Sequence, residues 1–285
     1  ISTGIIVGTT AVLSAAKKQG IVFDLVIADE QHKFSVSQRK KLLAPHTNFL
    51  EATATAIPRT VTLVKLGGMP ISILTQAPVK REIISRIITI KAREKLNDFV
   101  MEVINGGGQA AFIYPVVNGD ADASRHSVEA AYERFRRVLG DSVAMIHGGL
   151  PEDVKTNTIR LMKENKIKLL VASTVIEVGV TIPNLRLLVT VNAENFGVSQ
   201  LHQLRGRLAR KGGTGYFIMY LPEPIQQPAS DRLRLLSTCS DGFRLAEMDA
   251  EARGFGNLDI DGRQSGSARM LFWGITLGRS EIEQG

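Results

Sequence analysis

A single cysteine, Cys239, stands in the 285 residues, so neither an internal disulfide nor a cysteine-built zinc site is possible. No run is long and apolar enough to span a bilayer, because the best candidates are short and bounded by charges. The phosphate-binding loop G-x-x-x-x-G-K-S/T is absent, and no G-x-G-x-x-G joins a strand to a helix, which argues against a dinucleotide-dependent enzyme. Ile1-Ser2-Thr3-Gly4 has neither an initiator Met nor the basic leader of a signal peptide and runs at once into an apolar segment, as expected at the cut edge of a longer protein. Acidic residues are the minority, 28 Asp+Glu against 35 Lys+Arg. The resulting net charge of +7 draws in polyanions such as DNA, RNA or anionic lipid without choosing among them. What is plentiful is apolar: 44% hydrophobic residues with 22% charged suit a well-cored soluble protein of one large or two ordinary domains.

Strand-like and helical runs alternate along most of the chain. Strands are expected at 5–7, 24–28 and 49–53, and a Pro-containing charged stretch at 76–82 reads as a linker. The alternation restarts with strands at 83–90, 110–117, 143–146, 168–172, 185–191 and 216–221. Helices are expected at 95–104, 128–139, 152–164 and 199–210; Gly106 to Gly108 and Gly140 stop two of them, and Pro151 precedes a third. Continuous apolar strands such as Leu169-Leu170-Val171 suit a parallel sheet covered on both faces. Beyond Pro222 the chain changes to a proline-punctuated loop, two helices over 231–252 broken near Gly242, and a Gly-rich tail. The organisation is a partial α/β domain, a complete α/β domain and a helical appendix.

Three segments carry chemistry. Asp29-Glu30-Gln31-His32 ends an apolar strand, where a doubly wound sheet faces its ligand crevice. An Asp there can hold a hydrated magnesium ion and a neighbouring Glu can orient or deprotonate a water, although acidic residues also end strands as solvated caps. Thr53-Ala54-Thr55-Ala56-Ile57-Pro58-Arg59-Thr60 follows the next strand and offers hydroxyls beside that acidic pair, or an ordinary Thr-rich turn. In the third, residues 200–210, a helix would put Gln203, Arg207 and Arg210 on one face at i, i+4 and i+7. Guanidinium groups so aimed can stabilise the charge of phosphoryl transfer, and a basic helix lying on DNA is the competing view.

The order of these segments resembles superfamily 2 helicases and, within them, the RecG type of DNA translocase. The likeness runs through Gly8-Thr9-Thr10-Ala11, DEQH at 29–32, TATAIPRT at 53–60, IHGGL at 146–150, STVIEVGVTIPN at 173–184 and QLHQLRGRLAR at 200–210. The transcription-repair coupling factor shares most of them, but its usual DEEH and the IEVGV wording here favour RecG. Past the motor, Asp241-Gly242-Phe243, Arg253-Gly254 and Arg263-Gln264-Ser265-Gly266 resemble the helical hairpin and loop that couple hydrolysis to movement.

The resemblance implies two RecA-like, doubly wound parallel-sheet motor domains, the first partial at 1–78 and the second at 79–222, with the hairpin and tail at 223–285. It implies ATP and Mg2+ as cofactors, branched or duplex DNA as partner, no membrane, a monomer and a cytoplasmic setting. By the same resemblance Asp29 would serve magnesium through water and Glu30 would be the base, with Gln203, Arg207 and Arg210 facing phosphate. Gln31, His32, Thr53, Thr55, Glu177 and Gly179 would couple nucleotide state to movement. Thr9, His147 and Thr174 would face the DNA backbone, and Arg253 and Gln264 would belong to the translocation hairpin.

Several positions depart from the family pattern: Thr10 for a common His, Ala56 for Pro, Thr181 for Asp, Ala209 for Gly and Phe255 for Pro. Thr181 exchanges an ionised acceptor for a hydroxyl, and Ala209 adds a methyl where glycine is usual. Without a phosphate-binding loop the chain as given is expected to hydrolyse essentially no ATP. An alternative expectation is a catalytically inactive remnant that only binds DNA or a partner.

Overall fold

The computed structural model describes residues 4–29, 38, 41–53, 70, 72, 74, 79–116, 121–173, 182–224, 227–239, 244–245, 271–272 and 275–276. The chain divides into two compact units, Ile1–Pro70 with Ala250–Gly285, and Ile71–Asp249.

In the first unit, helix α1 (Ala11–Gln19) precedes strands β1 (Leu25–Asp29) and β2 (Asn48–Ala52), which pair in parallel from Leu25↔Asn48 to Asp29↔Ala52. Their starts are tied together: Asn48 N–H donates to Asp24 O at 2.8 Å, and Thr47 Oγ1 donates to Phe23 O at 2.7 Å. The strand expected at 5–7 does not form. Ile5 and Val7 are 94% and 88% exposed, and three apolar residues make no strand without a neighbour to take their hydrogen bonds. Leu271–Phe272 and Ile275–Thr276, β9 and β10, pair antiparallel.

The second unit is built on six parallel strands: β3 (Arg81–Thr89), β4 (Gln109–Tyr114), β5 (Val143–Ile146), β6 (Leu169–Ser173), β7 (Leu185–Val191) and β8 (Gly213–Leu221). Their order is β3-β8-β7-β4-β6-β5, every pairing parallel. Helices α2 (Arg93–Asn105), α3 (Ala121–Leu139), α4 (Glu152–Lys163), α5 (Val198–Arg205) and α6 (Gln227–Thr238) complete it.

Successive strand residues alternate between two apolar layers. Ala110, Phe112, Leu187, Val189 and Ile218 pack with Leu96 and Val100 of α2 and with Val128, Ala131 and Phe135 of α3. Ala111, Ile113, Leu188, Phe217 and Met219 pack with Met162 of α4, Leu201 and Leu204 of α5, and Leu233 and Leu236 of α6. Leu169, Leu170, Val171 and Ala172 are wholly buried, as a strand covered on both faces requires. The chain leaves β4 toward β5 and β6 on one side and leaves β7 toward β8 on the other, so the carboxyl ends of these neighbours mark the switch point where such sheets open a crevice.

Several elements differ in extent from the sequence reading, and three of the differences have a plain physical cause. Helix α3 begins at Ala121, two turns before 128, because its first turns are polar and carry no apolar periodicity. β4 ends at Tyr114, since Pro115 has no N–H for a ladder. Helix α5 ends at Arg205 rather than at 210. Of the two expected C-terminal helices, α6 is present; the second falls, apart from 244–245, outside the described residues.

Candidate nucleotide and nucleic-acid sites

The first unit brings two of the expected residues to one edge. Asp29 is the last residue of β1, paired with Ala52 of β2, and Thr53 follows directly. The carboxylate and the hydroxyl therefore stand at the carboxyl ends of adjacent parallel strands, with Asp29 exposed, a setting suited to a hydrated cation. Thr9 is exposed at the start of α1, where its carbonyl accepts from Val12 N–H at 3.0 Å and its hydroxyl from Ala11 N–H at 3.4 Å. These bonds make it a cap for the helix start. Glu30, Gln31, His32, Thr55, Thr174, Glu177, Gly179, Arg253 and Gln264 lie outside the described residues, as do Ala56, Thr181 and Phe255.

The arginine segment stands at the amino end of β3 and β8. Helix α5 stops at Gly206, and the chain then turns through Ala209 at φ +50 and Gly212 and Gly213 at φ +94 and +80. Arg81 Nη1 donates to Gly206 O at 2.9 Å and to Leu208 O at 3.2 Å, taking up carbonyls that the ended helix leaves open. Ala209 N–H donates to Leu185 O at 3.0 Å, and Arg186 Nη1 donates to Gly212 O. The one-face arrangement of Gln203, Arg207 and Arg210 is thereby corrected: Gln203 is on the helix, and of the two arginines in the turn Arg207 is buried and Arg210 exposed. The left-handed backbone at 209 also gives a physical reason for glycine being usual there, because an L side chain in that region is strained.

Arg205, within the same segment but not singled out in the sequence, ties α5 to α6. It is 7% exposed, and its Nη1 donates to Leu236 O at 2.6 Å and Cys239 O at 2.7 Å, the end of α6. Burial lowers its pKa, with Cys239 opposing and Arg81 adding to that shift. Its place one turn after Leu201 and two after Val198, on the apolar face of α5, was the available signal. Arg205→Met is expected to cost about 2–3 kcal/mol, because one buried and one part-buried carbonyl lose a charged donor. Denaturant unfolding measures the loss, and hydrogen exchange should place it in α6.

His147 follows β5 at the carboxyl edge. It is 5% exposed, and its Nε2 lies 3.8 Å from Glu129 Oε1 of α3. Burial lowers its pKa, against Glu129 and with the repulsion of Arg125 and Lys155. The unfolded chain therefore binds the proton more readily, so stability present above pH about 6.5 falls as the pH drops toward the folded value. His147→Gln is expected to shrink the loss of stability between pH 7 and pH 5, read from denaturant midpoints at each pH; an unchanged loss would show that His147 is not its source.

Residues 95–212 match the helicase conserved C-terminal domain, which places the second unit in that class. The chain is 36% identical over 274 residues to the ATP-dependent DNA helicase RecG of Bacillus subtilis, covering 92% of this chain and 39% of that protein. It is 34% identical over 262 residues to RecG of Borreliella burgdorferi, covering 90% and 38%. A solved structure of RecG bound to a three-way DNA junction superposes with TM-score 0.63 at 26% identity, covering 95% of this chain and 34% of that one. A point variant of S. cerevisiae Dbp5 bound to RNA and ADP BeF3 shares the fold, with TM-score 0.57 at 15% identity, covering 85% of this chain and 65% of that one. The chain is of RecG type and corresponds to the C-terminal portion of such proteins, spanning about two fifths of the length of these relatives. Among the described residues no helix is long and apolar enough to cross a membrane.

Proposed function

We propose that the whole protein is an ATP-dependent DNA helicase of RecG type, which hydrolyses ATP to move on duplex DNA and remodel branched DNA in recombination and repair. The observation that carries this reading is the identity of 36% over 274 residues with a RecG helicase, on a chain whose segments fall at strand ends and in the arginine turn. The proposed division of labour has residues 1–78 as part of the first motor domain, 79–222 as the second, and 223–285 as the coupling hairpin and tail. The protein acts as a monomer in the cytoplasm.

Asp29 would hold Mg2+ through water, which would offset charge on the phosphate oxygens, and Glu30 would take a proton from the attacking water. Arg210, exposed on a turn fixed by Arg81 and Arg186, sets its guanidinium against ATP phosphate, while Arg207 is buried in the same turn and Gln203 lies on the helix before it. Gln31, His32, Thr53, Thr55, Glu177 and Gly179 pass the nucleotide state on, and Arg253 and Gln264 convert it to movement. Thr9 and Thr174 hold the DNA backbone largely without regard to sequence, whereas His147, buried beside Glu129, supports that edge from within and does not reach the backbone.

A second reading, an inactive remnant that only binds, draws on Ala209, whose buried side chain sits in a left-handed turn that glycine would occupy without strain. ATP hydrolysis by the whole protein, with and without branched DNA, decides between them. A rate raised several-fold by DNA is expected for the helicase, whereas no hydrolysis would favour the remnant. Glu30→Gln should bind nucleotide yet stall, and undiminished turnover would remove Glu30 as the base.

A further inference from the structure

The carboxyl edge of the six-stranded sheet holds a cavity of about 220 Å3 to which none of these roles is attached. Arg93 and Asn97 come to it from α2, Arg134 from α3, Phe112 and Tyr114 from β4 and Tyr220 from β8. The arginine turn lies at the other edge, a full length of the nine-residue β8 away, on the order of 30 Å at the usual rise per strand residue. The cavity therefore belongs to neither end of the phosphate-facing segment. It lies beside the switch point at β4 and β7, and its lining includes Val191, the last residue of β7.

Its chemistry has two halves. No acidic residue lines it, and neither Arg93 nor Arg134 is in an ion pair among the described residues. Both arginines are exposed at the mouth. Arg134 lies with its Cζ 5.0 Å from the Phe135 ring centroid, and its charge acts on the Tyr114 phenol. Burial raises the pKa of that phenol, against the pull of Arg134, so it stays neutral and leaves the guanidinium charge uncompensated. Behind the arginines the walls are aromatic and aliphatic, with the Asn97 amide at the rim. Two forked cations in front of a partly aromatic hollow match an anion joined to a flat, mostly apolar ring.

We propose that this cavity takes one unpaired nucleotide of a DNA strand, with its base against Tyr114 and the neighbouring apolar wall and its phosphate between Arg93 and Arg134. The proposal rests on the DNA-helicase reading and adds to it a preference for unpaired strand. A strand is favoured over a free nucleotide because both arginines face outward, so the backbone can run past the mouth on either side. A paired base cannot enter without leaving its stack, and this separates the site from simple backbone binding.

The test is fluorescence anisotropy with the 285-residue chain, using labelled (dT)12, a blunt 12-base-pair duplex, and unlabelled dTMP as competitor. Arg93→Ala/Arg134→Ala should weaken (dT)12 binding roughly tenfold or more and lower its salt slope by about 0.7, because one fewer phosphate is neutralised. Duplex binding should change less than about threefold. Lys95→Ala/Arg137→Ala removes two exposed charges outside the cavity and should weaken (dT)12 by no more than about threefold. Tyr114→Leu should weaken (dT)12 by roughly fivefold or more and Tyr114→Phe should restore it, because stacking needs the ring rather than the hydroxyl.

Equal losses from the two charge-removing pairs would overturn the site as generic electrostatics, and equal losses on (dT)12 and duplex would overturn the base pocket. Competition by dTMP at the concentration at which (dT)12 itself competes would assign the cavity to a free nucleotide and overturn the strand. Binding of neither DNA by the parent chain would remove the DNA reading as well; DNA binding untouched by Arg93→Ala/Arg134→Ala would remove the cavity proposal alone.

Discussion

Arg210→Ala in the whole protein is expected to lower ATP turnover about a thousandfold or more while leaving branched-DNA binding within a few-fold. An arginine placed on a transferring phosphoryl group contributes at that scale, because it meets charge that grows toward the transition state. Arg210 is the cleaner of the two arginines for this test. It is exposed in the turn, whereas Arg207 is 9% exposed and its loss would also disturb packing. The supports of the turn, Arg81 on the Gly206 and Leu208 carbonyls and Arg186 on Gly212, are untouched by the substitution, so the fold should survive. Steady-state hydrolysis with saturating DNA, alongside a binding titration, gives both readouts. Normal turnover would take the phosphate-facing role away from Arg210.

Gln109→Leu is expected to destabilise the second unit by about 2–4 kcal/mol, the largest loss foreseen from a single side chain. Gln109 is wholly buried at the start of β4, and its Nε2 donates to Met162 O at 2.8 Å and Ile167 O at 2.6 Å. Those carbonyls end α4 and precede β6, so one amide joins a strand, a helix end and the loop entering the central strands. Met162 O keeps a second donor, Asn165 N–H at 3.0 Å, whereas Ile167 O loses the short bond from the amide. Leucine is close to glutamine in volume, so the cost isolates the missing donor from any cavity. Urea unfolding of parent and variant measures it, and a difference under about 0.5 kcal/mol would show that the amide is replaceable.

Both cases mark what a sequence can disclose. Strands β5 and β7 run where their apolar stretches end, and the fully buried β6 is recognisable because no polar residue interrupts it until Ser173. The glycines after α2 and α3 mark those helix ends correctly. The end of α5 is harder to see. Spacing favours a helix through Arg210, and only Gly206 and the Gly212-Gly213 pair signal the turn that separates the arginines. Ala209 hides the third signal, a left-handed residue that is not glycine.

Partners distant along the chain were not legible at all. Arg81 meets a carbonyl 125 residues away, and nothing local to it announces that bond. Gln109 looks like a polar residue at a strand start until the end of α4 closes over it. The cavity near Arg93 and Arg134 gathers residues between Ile90 and Pro222 from separate strands and helices, so no motif spells it. Asp29 and Thr53, by contrast, each follow an apolar strand-like run, and the pairing of those two strands in parallel brings their carboxyl ends side by side.

The most direct measurement is remodelling of a labelled three-way DNA junction by the whole protein, followed by gel or energy transfer. Strand displacement with ATP and Mg2+, none with a non-hydrolysable analogue, and none from Arg210→Ala is the expected result. Tight junction binding with no displacement under any nucleotide condition would contradict the assignment of a working motor.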